Sequence, residues 1–429
     1  MYIARHQGSK CQMSQLAIAV LSVLCAFLFG QAALTLGFVW VLRRCRYSHL
    51  PDRACPKVAV VLCVRGKDPF LTDCLEALLH QDYPNYDARV IVDHADDPAL
   101  GVVQEWFEAS NAPNVRWELL QDRRDTCSLK CSSLVQAARQ LDSSYEAIAL
   151  LDADTVPHSS WLRELIAPLL DERCGASTGN RWYMPAAPSV GATARYFWNV
   201  FAIVQMYWLR IAWGGSLAVK MDVVRKSDLL RSWSEAFCED TMLYSVLRKQ
   251  ALRLAFVPSL TMINREDCGL GNYYRWVRRQ LLTARLYHPL WNAVVFHGLL
   301  STILPLFLIA LFTAAVVTEN RQITAWVIAA ALLYVVVLSL LLWPLEASVR
   351  RFVAQRGEPT AWMSWQFFVS CVSAIPLLQI LYPMALASAL LSRRVEWRGV
   401  EYQIDGPWRI RLVEYRPYQM TGDKATISL

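Results

Sequence analysis

The 429 residues suffice for more than one domain, and 55% of them are hydrophobic against 18% charged, a high apolar share for a soluble protein. The formal net charge of +7 requires no nucleic acid, because much of the basic excess flanks apolar segments, where Lys and Arg meet anionic lipid head groups. Twelve cysteines are scattered without a CxxC pair or a Cys/His cluster, which excludes zinc-like spacing and leaves small apolar filler, reduced in a cytoplasmic domain.

Residues 1–46 read as an N-terminal tail and transmembrane anchor. Leu16 to Leu42 carry no charged side chain and are long enough to cross a bilayer as a helix; Arg43, Arg44 and Arg46 follow at once. The run outlasts a signal-peptide core and no small-residue cleavage site follows it, so the anchor is retained. Positive-inside asymmetry puts the chain after Arg43 in the cytoplasm.

Residues 56–290 alternate short apolar runs with helical patterns. "VAVVLCV" (58–64), "ARVIVD" (88–93), "NVRWELL" (114–120) and "AIALLDAD" (147–154) predict strands, and amphipathic segments between them predict helices. This rhythm is that of an α/β domain with a parallel sheet, in which ligands bind beyond the carboxyl ends of the strands. Residues 291–394 hold two apolar spans, Leu299 to Val317 and Ile323 to Trp343, joined by "TENRQ" as a transmembrane hairpin. Arg350, Arg351 and Arg356 mark the next loop as cytoplasmic. Trp365 to Leu391 is broken by Pro376 and Pro383 and ends at Arg393 and Arg394, which predicts a re-entrant or interfacial helix pair; a simple fourth crossing is the alternative. Residues 395–429 are then a cytoplasmic tail.

Acidic residues gather where the sheet would bind a ligand. Asp152 and Asp154 close one predicted strand, "DHADDPA" (93–99) closes another, and Glu239-Asp240 opens the helix "TMLYSVLRKQ", where backbone N–H groups favour an ionised carboxylate. A lone DxD is usually a turn or a cap. Three acidic sites in one α/β domain of a basic protein instead suggest a divalent cation and a base. Oxygen-only ligands point to Mg²⁺ or Mn²⁺, bound by one or two carboxylates together with substrate phosphates.

The ordered set "VRGKDP", "DYPNY", "DHADDPA", "LLDADTVP", "CEDTML" and "WVRRQ" resembles the family 2/21 type of inverting membrane glycosyltransferases with a GT-A (Rossmann-like) fold, and among these the ceramide glucosyltransferases. The tail "VEWRGVEYQI" is similar to their "SWRGxRYRI"-like ending. The resemblance implies a cytoplasmic catalytic domain between membrane helices, a nucleotide-sugar donor of UDP type carrying a glucose-type sugar, and a lipid acceptor such as ceramide. It implies a place for Asp97 near the uridine and phosphates, for Asp152 and Asp154 at a metal-bound diphosphate, and for Asp240 as the base that deprotonates the acceptor hydroxyl. Arg65, Lys67 and Lys130 stand where they could contact the nucleotide, or be solvated surface charges.

The family's (Q/R)xxRW motif is altered. Trp276-x-x-Arg279-Gln280 falls at the family's spacing from Asp240, with Asn272-x-x-Arg275-Trp276 as the other frame. In the first frame Trp276 and Gln280 lie on the donor side, and Arg279 supplies positive charge to the departing diphosphate. The missing tryptophan puts the acceptor side in doubt. Two rivals are a processive polysaccharide synthase of the same fold, disfavoured by the small number of apolar helices, and a membrane-bound binding protein without catalysis, disfavoured by the presence of all three acidic sites. A transporter is disfavoured by the scarcity of charged residues within the spans.

Overall fold

In a computed structural model, residues 2–45, 50–185, 189–360 and 363–418 are described; Arg46 lies outside them. The chain divides into two compact units, residues 1–44 with 292–386, and residues 45–291 with 387–429.

The first unit is helical. Helix α1 (Tyr2–Arg44) contains the expected anchor and ends in Arg43 and Arg44. The second unit is built on seven strands, β1 (Val58–Val64), β2 (Tyr86–Val92), β3 (Val115–Leu119), β4 (Ala147–Asp152), β5 (Cys174–Tyr183), β6 (Ser216–Lys220) and β7 (Arg253–Asn264). Their order in the sheet is β3-β2-β1-β4-β6-β5-β7. The four strands expected from apolar runs are β1 to β4, all parallel. The sheet as a whole is mixed, because β6 runs antiparallel to both β4 and β5. Neither β5, "CGASTGNRWY", nor the five-residue β6 carries an aliphatic run that marks it as a strand.

Val58, Val60, Leu62, Val90, Val92 and Leu151 form the centre of the core, which α2 (Leu71–Leu79), α3 (Pro98–Ala109), α4 (Leu129–Arg139) and α5 (Trp161–Ile166) help to cover. Helix α6 (Val190–Leu209) leads from β5 to β6, and α7 (Met221–Lys226), α8 (Leu229–Trp233) and α9 (Leu243–Lys249) lead on to β7. Helix α10 (Leu270–Tyr287) lies on α6.

Helices α11 (Trp291–Val317), α12 (Arg321–Gln355) and α13 (Trp365–Leu391) follow. With α1 they make four helices long and apolar enough to cross a membrane, by length and composition. Helix α13 is one uninterrupted helix with Pro376 and Pro383 inside it, not the broken pair expected. Proline removes a backbone hydrogen bond but need not end an apolar helix whose neighbours satisfy the freed groups.

Within the expected tail lies a second sheet, the antiparallel meander β8 (Arg394–Trp397), β9 (Val400–Gly406) and β10 (Arg409–Glu414). It packs within the second unit: the Leu129 N–H donates to the Tyr402 hydroxyl, and the Leu412 N–H to the Asp125 carbonyl. The cysteines of the described residues are free thiols, most of them buried.

Candidate active site

Strand direction concentrates charge at one edge of the main sheet. The carboxyl ends of β1, β2 and β4 deliver Arg65, Asp93 and Asp152 there. Because β6 is antiparallel to β4, with Ser216 opposite Leu151, its amino end brings Gly214 and Gly215 to the same edge. Strand β5, antiparallel to β6, adds Arg181.

Asp152 and Asp154 converge on that arginine. One Arg181 nitrogen lies 3.2 Å from Asp152 Oδ2 and the other 3.2 Å from Asp154 Oδ2. Lys130 stands between the second and third acidic motifs, its Nζ 2.6 Å from Asp152 Oδ1 and 2.6 Å from Glu239 Oε1. Burial alone would lower the Lys130 ammonium, but Asp152 and Glu239 more than offset it and hold the group well above its ordinary value. Burial would likewise raise Asp152, and Lys130 and Arg181 pull it below the usual carboxylate range instead. Lys130 is therefore a buried bridging charge, not a solvated one.

Asp240 is held by backbone amides: Gly214 N–H donates to Oδ2 at 2.9 Å and Thr241 N–H to Oδ1 at 2.6 Å. The residue precedes α9 by a few positions instead of capping it, since the N-cap is Met242. Its carboxyl is pushed up to about 7, first by withdrawal from water and then by Glu239, against the pull of Lys130. The expectation of a carboxylate favoured in its ionised form by a helix end is thus reversed. Gly214 and Gly215 make this crowding feasible. A Cβ on Gly214 would overlap the Glu239 carboxylate, and one on Gly215 would meet the Trp213 ring and Asp152 Oδ2.

Asp97 is engaged by backbone amides. It caps α3 through the Ala99 N–H at 2.9 Å, and both its oxygens also accept from Gly66 N–H at 2.9 and 3.0 Å. Asp97 thereby ties the loop after β1 to α3, leaving Asp93 as the carboxylate at the end of β2. Asp93 Oδ2 accepts from Arg65 and from the Tyr415 hydroxyl, whereas its buried Oδ1 has no partner among the described residues. Arg65 also donates to the backbone oxygens of Arg398 and Arg416. Lys67 is exposed, and the Tyr418 ring lies against Gly66.

Helix α10 separates the two frames of the altered motif. Arg275 is exposed and bonds Asn272 in its own helix. Arg279 lies 4.9 Å from the centroid of the Trp397 ring and within electrostatic reach of Asp152 and Asp154. Trp276 is buried edge-to-face against Tyr183 and Trp198, so it supports the helix that carries Arg279 instead of lining the carboxylate cluster. Gln280 is half-buried beside Arg279.

Residues 20–409 match Glycosyl transferase family 21. The chain belongs to this family. No curated protein matches it in sequence. Among solved structures, a mannosyltransferase from Pyrobaculum calidifontis in complex with GDP-Man and Mn²⁺ is similar at 16% identity and a TM-score of 0.46, over 87% of this chain and 99% of that one. Glucosyl-3-phosphoglycerate synthase from Mycobacterium tuberculosis in complex with Mn²⁺, UDP and phosphoglyceric acid is similar at 13% identity and a TM-score of 0.35, over 54% and 80%.

In this family 21 glycosyltransferase, sequence reasoning missed Arg181, and also Asp68 and Arg398, which form an ion pair of 3.2 Å beside Arg65. Arg181 sits in the polar strand β5 with no acidic motif near it in sequence. Arg398 was visible inside "VEWRGVEYQI", where the resemblance was noted but no role was drawn from it. Among the described residues no three His, Cys, Asp or Glu side chains gather as a metal-ligand set. Asp152 and Asp154 nonetheless present oxygens to one positive centre, now Arg181, which fits the one or two carboxylates that Mg²⁺ or Mn²⁺ takes beside substrate phosphates.

Proposed function

We propose that the protein transfers a glucose-type sugar from a UDP-type nucleotide sugar to the hydroxyl of a membrane lipid such as ceramide, inverting the anomeric carbon. The observation that carries this reading is the Lys130 bridge, which joins the DxD carboxylate Asp152 to Glu239, the neighbour of Asp240, within one buried network. Leaving-group and acceptor chemistry are thereby adjacent.

Asp152 and Asp154 would hold Mg²⁺ or Mn²⁺, which when bound neutralises charge on the donor diphosphate. Arg279 adds positive charge on the same side, stabilising the diphosphate as its bond to the sugar breaks. Asp240, in its ionised form, accepts the proton of the lipid hydroxyl while that oxygen attacks the anomeric carbon. The Gly214 and Thr241 amides fix its direction. Arg65 and the buried, unpartnered Asp93 Oδ1 lie where the nucleoside end would bind, at the carboxyl ends of β1 and β2. The apolar helices keep the acceptor's membrane at hand, with the catalytic domain on the cytoplasmic face.

The test is a donor and acceptor screen on the full-length protein with Mn²⁺ or Mg²⁺, reading released nucleotide and glycolipid product. Transfer from a UDP-sugar to a lipid hydroxyl, lost in excess EDTA and in Asp154→Ala, is the expected result. Full activity in EDTA would remove the metal from the scheme, and hydrolysis without transfer to any lipid would remove the acceptor class.

A further inference from the structure

We propose that Arg398, at the tip of the β8–β9 hairpin in the C-terminal sheet, is a donor-binding residue that works with Arg279 to hold the donor diphosphate. The proposal rests on the glycosyl-transfer reading above and adds a part of the chain that no acidic motif reaches.

The hairpin is built to present this side chain. Trp397 pairs with Val400, leaving Arg398-Gly399 as a two-residue turn, and both residues have positive φ, +49° and +75°. That is the turn type whose twist suits a tight hairpin, but its first central position favours Asn, Asp or Gly. An arginine there is disfavoured by its Cβ, and such residues persist where the surroundings fix them.

The surroundings are those of the site. Arg398 donates to the Arg65 carbonyl and lies 3.2 Å from Asp68 Oδ2, while its own carbonyl accepts from Arg65 Nε at 2.9 Å. The guanidinium is 19% exposed and feels Asp154 and Asp152 besides Asp68. Next to it, Trp397 carries Arg279 on its ring and is held by Phe237, 5.7 Å away between centroids.

Arg279 forms no ion pair among the described residues, although it is half-buried. Burial first, and then Arg398 and Arg181, lower its guanidinium to about 10. Asp68, Asp152 and Asp154 hold Arg398 and Arg181 charged, so the unrelieved repulsion falls on Arg279, which an anion would relieve. A diphosphate matches this arrangement, since guanidinium groups bind phosphate oxygens through forked N–H pairs. Asp152 and Asp154 pair with Arg181 and Asp68 pairs with Arg398, so Arg279 is the cation that enters no ion pair among the described residues, and Arg398 sets a second guanidinium fork against the same tryptophan turn.

The test compares wild type with Arg398→Lys, both full-length, for binding of UDP, GDP, uridine and guanosine in the presence of Mn²⁺. Lysine keeps the charge but loses the fork, so the bound nucleoside diphosphate should weaken about tenfold while the matching nucleoside binds unchanged. Equal weakening of both would make Arg398 a prop of the hairpin and overturn the proposal; so would no weakening at all. Should the variant fail to fold, the wild type carries the test through phenylglyoxal modification mapped by mass spectrometry. Protection of Arg398 by the diphosphate and not by the nucleoside is then expected, and equal modification with either overturns the proposal. Wild-type protein that binds none of the four ligands and releases no nucleotide from any sugar donor would instead fail the glycosyl-transfer reading itself.

Discussion

A carboxylic acid that ionises near pH 7 is a stronger proton acceptor than one that ionises near 4, and about half of it is still ionised at neutral pH. Asp240 meets both conditions because burial and Glu239 raise it to about 7 while the Gly214 and Thr241 amides keep the anion bound. The reactive form is the ionised one, so activity is present above about 7 and is lost as pH falls through that value. A profile of kcat against pH should therefore rise about tenfold per unit on the acid side and flatten above about 7. Asp240→Asn should lower turnover by about 10² to 10⁴ and leave nucleotide affinity nearly intact. A variant that lost nucleotide affinity while turning over normally at saturation would assign Asp240 to binding instead. Asp97 illustrates the limit of reading single residues: its type and place in "DHADDPA" suit a ligand contact, yet the Gly66 and Ala99 amides occupy its oxygens.

At the scale of elements, legibility followed the aliphatic runs. "VAVVLCV" is β1 residue for residue, and β2 to β4 fall within one or two residues of their apolar segments. These strands are buried, so their sequences are nearly continuous Val, Ile, Leu and Ala. Strands β5 and β6 are as buried but carry Gly, Ser, Thr and Asn, whereas β9, "VEYQIDG", alternates apolar and polar residues with burial in step, a period-two signal that reading 395–429 as a tail passed over. The missed elements supply Arg181, Gly214, Gly215 and Arg398, so the sequence reading found the acids of the site and not most of the groups that hold them. Gly215 makes the point testable. Its backbone oxygen accepts from Asp152 N–H at 3.5 Å, and an added Cβ would push on the Trp213 ring and the Asp152 carboxylate. Gly215→Ala should displace Asp152 by a fraction of an ångström to an ångström, enough to cost about a hundredfold in turnover. Unchanged kinetics in a correctly folded Gly215→Ala protein would show that Asp152 needs no such confinement.

For the whole molecule, the C-terminal sheet constrains how the chain meets a membrane. Residues 387–418 pack in the same unit as the sheet that carries the site, with Arg65 bonded to the Arg398 carbonyl and Leu129 to Tyr402. Between that domain and the tail lie α11, α12 and α13, each long and apolar enough to cross. Three complete crossings would deliver the tail to the far face, where it could not make those contacts. Where those contacts persist in a membrane, the number of full crossings between Trp291 and Arg394 is even, and α13, one uninterrupted helix, then lies along the interface if α11 and α12 both cross. Cysteines introduced at Asp96, on the catalytic domain, and at Arg411, on β10, are both exposed positions. We expect a membrane-impermeant maleimide to label both from the same face of sealed vesicles, and labelling from opposite faces would require α13 to cross and the tail contacts to be absent in the membrane.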